Sequence, residues 1–333
     1  MLIQRQRSRF VLTAALLAAT VAIATGCASA APPSDGPSQS GSVKTVAIKA
    51  GVAASQSSAA LLLGVKQGFF KDEGIDVTTD FSATGAGGIP QLINGQLQTV
   101  LGGISGSIAA ASEGIGIAIV SGSVNDREDP AGTQYQTIVS PNSSIKSFAD
   151  LSGKTIAVNS LLCCWDFWVR EAVEKDGGDS SSLKLVQLSF PDAVTALQQG
   201  NVDAISTVQP FATQLRQEGF RDIGDSPAAA YDDPNNGNTV FTMSRQFIDQ
   251  NPGIVERWQK ALQKSSDYAN DHPDETRAQI IEQTKADPEL VNKAPLPLYS
   301  AKIDRNAVER EAGFLVKYGV IKKAPSLDSL IAP

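Results

Sequence analysis

The stretch that decides the fold runs from Ser147 to Phe211. Residues 147–160 read S-F-A-D-L-S-G-K-T-I-A-V-N-S, residues 161–179 read L-L-C-C-W-D-F-W-V-R-E-A-V-E-K-D-G-G-D, and residues 183–211 read L-K-L-V-Q-L-S-F-P-D-A-V-T-A-L-Q-Q-G-N-V-D-A-I-S-T-V-Q-P-F. Apolar runs of strand length at 155–159, 183–189 and 204–208 alternate with helical spacing at 165–175 and 191–200. This alternation predicts parallel strands joined by right-handed crossovers. In such sheets ligands bind at the carboxyl ends of the strands, so that edge is the expected functional one.

The same stretch carries a family resemblance. The phrases S-F-A-D-L-S-G-K-T-I-A-V (147–158), A-L-Q-Q-G-N-V-D-A-I (196–205) and Q-P-F (209–211), together with G-F-F-K-D-E-G-I-D-V (68–77), resemble substrate-binding proteins of bacterial ABC importers. The most similar branch handles nitrate, sulfonates, taurine and the thiamine pyrimidine precursor. The similarity runs from about Val43 to about Tyr318.

The resemblance implies an α/β fold of the type II periplasmic-binding-protein kind. Two α/β lobes would be joined by a two-segment hinge, with the ligand cleft between them. The implied partners are a small-molecule solute and the permease and ATPase of an importer. A monomer without a cofactor is expected.

The first 27 residues predict a targeting segment. Three arginines (Arg5, Arg7 and Arg9) precede an apolar run at 11–24 that is too short to span a bilayer comfortably. The run ends in A-T-G-C, which resembles a bacterial lipoprotein signal in which Cys27 becomes the acylated N-terminus. The protein would then be exported and held by lipid at the extracytoplasmic face of the cell membrane. An ordinary secretory signal cut within residues 28–31 is the alternative.

Composition narrows the classes of partner. Residues 28–42 are rich in Pro, Ser, Gly and Ala, which predicts a flexible tether. Loss of the targeting segment removes three arginines and no acidic residue, which takes the formal net charge from −7 to about −10. An acidic protein without a basic run is a poor candidate for nucleic-acid binding.

The lobes are assigned from the order of the predicted elements. Strand, small polar loop and helix alternate from residue 45 to residue 120. Residues 135–140 then predict a strand that leaves this lobe, and residues 239–244 predict one that returns. We therefore expect lobe 1 over 43–136 and 241–333, and lobe 2 over 137–240. From residue 246 onward the pattern is helical, and these helices are expected to pack on lobe 1.

Three loops at the expected functional edge each stand where a strand gives way to a helix. They contain Gln56 and Ser57, Thr84 and Gly85, and Ser105, Gly106 and Ser107. Unpaired N–H groups and the helix dipole favour an anionic oxygen there, and hydroxyl groups add donors. Any single Ser or Thr is better explained as a helix N-cap, whereas the three loops together favour a ligand cradle. The predicted ligand-binding set also includes Asn159, Gln209 and Asn238.

Cys163 and Cys164 are adjacent and follow the first strand of lobe 2. Export permits disulfides, but adjacent cysteines can bond only by straining the peptide between them. We expect both cysteines and Trp165 to face the cleft opposite residues 105–107, which would suit a solute with an apolar or aromatic body. Two buried free thiols beside core aromatic residues are the alternative.

Enzymatic signatures are weak. The sequence has no G-x-G-x-x-G after a strand, no Walker loop and no G-x-S-x-G, and His272 is its only histidine. No catalytic residue and no metal site are therefore predicted. An enzyme resembling thiamine pyrimidine synthase, on the same fold, is the enzymatic alternative, although the clustered cysteines and histidines associated with that chemistry are lacking. A ligand-sensing receptor is the other alternative.

Overall fold

A computed structural model of the protein describes residues 44–82, 85–127, 133–234 and 236–333. The targeting segment with Cys27, the tether over 28–42 and Thr84 lie outside the described residues, and they remain predictions.

Eleven strands occur within the described ranges. In chain order they are β1 (Val46–Gly51), β2 (Ile75–Asp80), β3 (Thr99–Gly103), β4 (Ile117–Asn125), β5 (Tyr135–Val139), β6 (Thr155–Val158), β7 (Lys184–Gln187), β8 (Ala204–Val208), β9 (Arg221–Gly224), β10 (Thr239–Ser244) and β11 (Leu298–Tyr299).

The helices of the same ranges alternate with the strands as far as β10 and dominate afterwards. They are α1 (Ala59–Lys66), α2 (Phe69–Asp72), α3 (Ile89–Ile93), α4 (Ile104–Ser112), α5 (Cys164–Lys175), α6 (Phe190–Gln198), α7 (Phe211–Gln217), α8 (Ser226–Tyr231), α9 (Arg245–Gln250), α10 (Ile254–Asp271), α11 (Pro273–Thr284), α12 (Pro288–Lys293), α13 (Arg305–Lys317) and α14 (Leu327–Leu330). None of them is long and apolar enough to cross a membrane.

The strands form two sheets. The first has the order β11-β4-β10-β3-β1-β2, in which β1 runs parallel to β2 and β3 and β10 lies antiparallel between β3 and β4. The second has the order β7-β6-β8-β5-β9, in which β6 is parallel to β7 and β8. The parallel pairing predicted for residues 155–208 is confirmed.

β5 and β10 are the strands at which the chain passes from one lobe to the other, and each pairs along its whole length within the sheet that it enters. β5 pairs with β8 along its length, from Tyr135 opposite Val208 to Val139 opposite Ala204. β10 pairs with β4 from Thr239 onward. The lobe boundaries at 136/137 and 240/241 remain a prediction, and this pairing favours crossings a few residues earlier.

The chain after β10 packs mainly on the first sheet. Trp258 of α10 is fully buried, and its ring lies 5.1 Å from that of Phe70 and 5.2 Å from that of Phe241. The expectation of an all-helical C-terminal region was wrong, because residues 298–299 form β11 at the free edge of β4.

Helix α13 contacts both halves of the molecule. Phe167 of α5 stacks on Tyr318 at the end of α13, with ring centroids 5.0 Å apart. Phe314 of α13 stacks on Tyr231 of α8 at 5.8 Å. Packing of this helix on lobe 1 alone, as the sequence suggested, is therefore incomplete.

Candidate functional site

Two adjoining cavities lie where the strand ends of the two sheets face each other. The first has a volume of about 260 Å³ and the second about 500 Å³. Both are lined by Gly103 at the end of β3 and by Asn159, Cys164 and Trp165 after β6. The sulfur of Cys164 lies 3.7 Å from the position that a Cβ on Gly103 would occupy. The two lobes therefore approach each other closely at Gly103 and Cys164, where the two cavities adjoin.

Gln56 is the most informative residue of the first cavity. It opens a 3-10 turn before α1, lines the cavity and is only 7% exposed. Neither its amide oxygen nor its amide nitrogen has a hydrogen-bond partner among the described residues. Because buried polar groups are nearly always paired, this amide is available for a ligand that offers both a donor and an acceptor. Ser57 beside it also lines the cavity.

Aromatic rings form one wall of the first cavity. The ring of Trp165 lies 5.5 Å from Tyr135, 5.3 Å from Trp168 and 5.3 Å from Phe190, and all four residues line the cavity. Trp165 itself is 8% exposed. These mutual edge and tilted contacts fix the rings, and a rigid apolar wall suits a planar solute.

Gln209 and Asn238 also line the first cavity, but their side chains are already engaged. The Gln209 amide donates to the carbonyl of Thr133 and accepts from Thr213. The Asn238 oxygen accepts from the hydroxyl of Tyr135 at 2.8 Å. These two amides therefore hold the cavity in shape, and any contact with a solute remains a prediction.

The predicted loop at 105–107 is helical. Helix α4 begins at Ile104, whose N–H donates to the carbonyl of Asn238, with Gly103 in extended conformation as its N-cap. The sequence predicted a loop here, because glycine and serine make up five of the six residues 102–107 and both are typical of loops. Ser105 and Gly106 line the second cavity, whereas the Ser107 hydroxyl bonds Thr242 at 2.7 Å. For Gly85 the structure gives only its place at the start of the 3-10 turn Gly85–Gly88.

Cys163 and Cys164 carry free thiols at the start of α5. Their sulfurs are 3.8 Å apart, and the Ser160 hydroxyl lies 2.7 Å from the Cys163 sulfur. Hydrogen bonding from Cys164, aided by Ser160 and the N–H of Trp165, lowers the pKa of Cys163 to about 7 against the effect of burial. The shared hydrogen bond and burial raise the pKa of Cys164. Only Cys163 is therefore readily ionised.

A buried carboxyl group lies behind Cys164. Glu311 of α13 is fully buried, and it accepts from Ser105 and from the Tyr231 hydroxyl, the latter at 2.6 Å. The indole of Trp168 in turn donates to the Tyr231 oxygen at 2.9 Å. Burial raises the pKa of Glu311, because no cation compensates the charge among its described partners.

A second buried acid lines the first cavity. Asp126, just after β4, shares a hydrogen bond with Asp225, which precedes α8. One carboxylate oxygen of each accepts a backbone N–H group, and the Thr133 side chain also interacts with Asp225. Burial raises the pKa of Asp126, and burial together with Asp126 raises that of Asp225. The two carboxyl groups therefore hold their protons more tightly than free aspartic acid does.

Sequence reasoning missed several residues of the two cavities. Tyr135 was assigned to a strand and Trp168 to a helix without a binding role, and Phe190 was assigned to neither. Glu311, which lies behind Cys164 and lines neither cavity, was not noticed. Glu311 could have been found, because it shares a helix face with the buried residues Val308, Ala312 and Leu315. A charged residue on an apolar face is an informative exception.

Comparisons with known proteins agree with this architecture. Residues 55–276 match the protein family described as NMT1/THI5 like. A protein of Escherichia coli (strain K12) named for the binding of aliphatic sulfonates is 28% identical over 130 residues, which is 39% of either chain. A 2'-hydroxybiphenyl-2-sulfinate desulfinase of Rhodococcus erythropolis is 32% identical over 100 residues, which is 29% of this chain and 26% of the relative. The chain thus matches less than two thirds of the length of these relatives.

The fold comparison extends over most of the chain. The crystal structure of the periplasmic aliphatic sulphonate binding protein SsuA from Escherichia coli superposes with a TM-score of 0.69 at 17% identity, covering 86% of this chain and 92% of that one. Two sheets with ligand-sized cavities between their strand ends define a two-lobed periplasmic-binding-protein fold. Because the family match spans more than half of its length, the protein belongs to the NMT1/THI5-like family. The resemblance and the fold class expected from the sequence are confirmed.

Proposed function

We propose that the protein is an exported receptor that captures a small solute between its lobes and delivers it to an ABC importer. The solute has a planar apolar body, one singly charged oxyanionic group and a hydrogen-bond donor for the Gln56 oxygen, as in a hydroxyl- or amino-substituted aryl sulfonate. The observation that carries the proposal is the buried, unpartnered amide of Gln56 beside the aromatic wall of the first cavity.

The charge of the solute is argued from the lining. Among the described residues that line the two cavities there is no Lys or Arg. An anion would instead be held by the N-terminal turns of α4 and α5, both of which reach the second cavity, and by the Gln56 N–H₂ group. The raised pKa of Asp126 lowers the repulsion between its carboxyl group and a bound anion. Dipoles without a full positive charge favour a single negative charge over a double one.

The route of delivery rests on the family and on the N-terminus. The relatives named for sulfonate binding include the periplasmic SsuA, which shares this fold. Hinge closure around the solute would form the surface that the permease meets. We propose that Cys27 is acylated and that residues 28–42 tether the receptor near its transporter, raising its effective concentration there.

A thermal-shift screen tests this proposal. The panel contains aryl sulfonates, aryl sulfinates, alkyl sulfonates, taurine, nitrate, pyrimidines and aromatic carboxylates. We expect aryl sulfonates or their close analogues to raise the melting temperature in a concentration-dependent way, because a ligand that binds only the folded state stabilises it by mass action. Stabilisation by nitrate or taurine alone would overturn the assigned solute class. Failure of every compound would count against a receptor for small oxyanions.

A desulfinase-type activity is the second candidate, favoured by the likeness to the Rhodococcus enzyme and by an ionisable thiol in the cleft. Release of sulfite from an aryl sulfinate, lost in Cys163→Ser, would support it. Binding of the sulfinate without sulfite release would leave the receptor proposal standing alone.

A further inference from the structure

Cys163 combines the features of a reactive thiol. It is partly exposed, lines the second cavity and is the N-cap of α5, a helix of 12 residues. Ser160 lies within hydrogen-bond reach of its sulfur. A helix N-terminus and nearby donors stabilise a thiolate, which is the nucleophilic form of cysteine.

Cys164 is placed to act as the second thiol of the pair, after Cys163 has reacted. Its sulfur is 3.8 Å from that of Cys163, and it also interacts with Ser105 and Glu311. A thiol that contacts a reactive cysteine can lose its proton and attack once a bond has formed on its neighbour.

The chain before the pair is held in an unfavourable conformation. Leu162 has a φ of 55°, in the left-handed region that bulky residues rarely adopt, and its side chain is 68% exposed. The N–H of Leu162 donates to Asp166 in the first turn of α5 at 3.1 Å. Backbone strain of this kind concentrates at functional positions, and here it aims Cys163 into the second cavity.

We propose that Cys163 is a site of thiol–disulfide exchange with low-molecular-weight organic disulfides, and that Cys164 is the resolving thiol. The Cys163 thiolate attacks one sulfur of the disulfide R–S–S–R, forms a mixed disulfide and releases one R–S⁻, which takes up a proton. Cys164 then loses its proton to solvent and attacks the Cys163 sulfur. The second R–S⁻ leaves, so the dithiol is oxidised to the Cys163–Cys164 disulfide and R–S–S–R is reduced to two thiols.

The position of the adduct gives the reaction a consequence for the cleft. The second cavity is also lined by Ser105 and Gly106 of α4, in the first lobe, and by Leu315 and Val320 of the α13 region. A group attached to Cys163 therefore occupies space between the two lobes. This inference does not depend on the identity of the transported solute.

The test is exchange on the reduced full-length protein with bis(2-hydroxyethyl) disulfide, followed by trapping of remaining thiols and peptide mapping. The tryptic peptide 155–170 contains both Cys163 and Cys164 but not Cys27. We expect the wild-type peptide to lose two hydrogens, Cys164→Ser to accumulate the mixed disulfide, and Cys163→Ser to react at least about tenfold more slowly than Cys164→Ser.

The same assignment is made without a substitution, in case a variant fails to fold. A limiting dose of iodoacetamide on the wild-type protein, read by fragment ions, is expected to label Cys163 at least about tenfold more than Cys164. The proposal would be overturned if Cys163→Ser exchanged less than about tenfold more slowly than Cys164→Ser. It would also be overturned if iodoacetamide preferred Cys163 to Cys164 by less than about tenfold, or if the wild-type peptide stayed reduced.

Discussion

The hydroxyl of Tyr231 in α8 donates to the carboxylate of Glu311 in α13 at 2.6 Å, and both side chains are buried. The two residues are far apart in sequence and come from different halves of the molecule. Their hydrogen bond, backed by Trp168, ties the helix that follows the second sheet to the last long helix of the chain.

Removing this hydroxyl is expected to destabilise the fold. Tyr231→Phe deletes a donor to a buried carboxylate, which is worth about 1.5–3 kcal/mol in the free energy of unfolding. Urea denaturation followed by fluorescence measures the loss. Tyr268→Phe is the matched control, because that hydroxyl bonds the surface residue Glu275. Equal losses in the two variants would contradict a special role for the buried contact.

The charge of Glu311 predicts a pH dependence. Burial raises its folded-state pKa above the ordinary value of 4.5, so the folded protein holds the proton more tightly than the unfolded chain. Its contribution to stability is fully present below pH 4.5 and is lost as pH rises through the folded pKa. Glu311→Gln mimics the protonated form and removes this loss.

Denaturant titrations of wild type and Glu311→Gln at a series of pH values check the sign. The variant should gain stability relative to wild type as pH rises from about 5 to about 8. Glu309→Gln, an exposed residue on the same helix, serves as control and should show no such trend. A difference between wild type and Glu311→Gln that does not change with pH would argue against a raised pKa.

Substitution of Gln56 is expected to weaken solute binding without lowering the stability of the fold. Gln56→Ala removes an amide that has no described partner, so the free energy of unfolding should stay the same or rise. Affinity for a solute found in the screen should fall about 5- to 30-fold, the scale of one or two hydrogen bonds. Gln209→Ala is the matched control in the same cavity. Its amide is fully engaged, so that variant should lose stability.

Isothermal titration and thermal unfolding of both glutamine variants give the two readings. Loss of stability in Gln56→Ala equal to that in Gln209→Ala would mean that the Gln56 amide supports the fold, and the site assignment would fail.

Trp165 is expected to affect both binding and stability. Three neighbouring rings contact it, so Trp165→Ala should lower the free energy of unfolding by about 3–5 kcal/mol and should also weaken binding of the solute. Trp165→Phe keeps a ring and gives a milder test. Trp258→Phe in the first-sheet core is the control, which should lower the melting temperature without changing affinity. An unchanged affinity in Trp165→Phe and Trp165→Ala would remove this wall from the binding site.

Two glycines should respond in opposite directions to alanine. A Cβ on Gly122 of β4 would lie 2.3 Å from the backbone oxygen of Lys302, so Gly122→Ala should destabilise strongly. A Cβ on Gly313 of α13 meets nothing within 4 Å, and Gly313→Ala should stabilise by about 0.5–1 kcal/mol through helix propensity. Melting temperatures of the two variants test the packing of residues 300–302 against β4.

Local patterns were sufficient for most elements and for the parallel pairing of β6, β7 and β8. Short apolar runs and helical spacing placed β6, α5, β7, α6 and β8, because period and turn residues are local signals. The start of α4 was missed, since glycine and serine favour loops unless a tertiary contact, here from Asn238 to Ile104, fixes the first turn.

The site was only partly predictable for the same reason. Gln56, Asn159 and Cys164 follow strands and could be placed at the functional edge from their positions alone. Tyr135 and Glu311 reach the cleft region from other segments, and no local signal states which strand end or helix they will meet. The unpartnered state of Gln56 depends on every neighbour and is visible only in three dimensions.

The insertion of β10 between β3 and β4 also determines the order in which the chain can fold. The second sheet uses only residues 135–224, so it can be completed as soon as that continuous segment is available. The first sheet cannot join β3 to β4 until β10, which ends at Ser244, has been synthesised. The core on this sheet also includes Trp258. When the chain appears N-terminus first, we expect the lobe of the second sheet to fold before that of the first sheet. Strands β1 to β4 would then need a chaperone until β10 has been added.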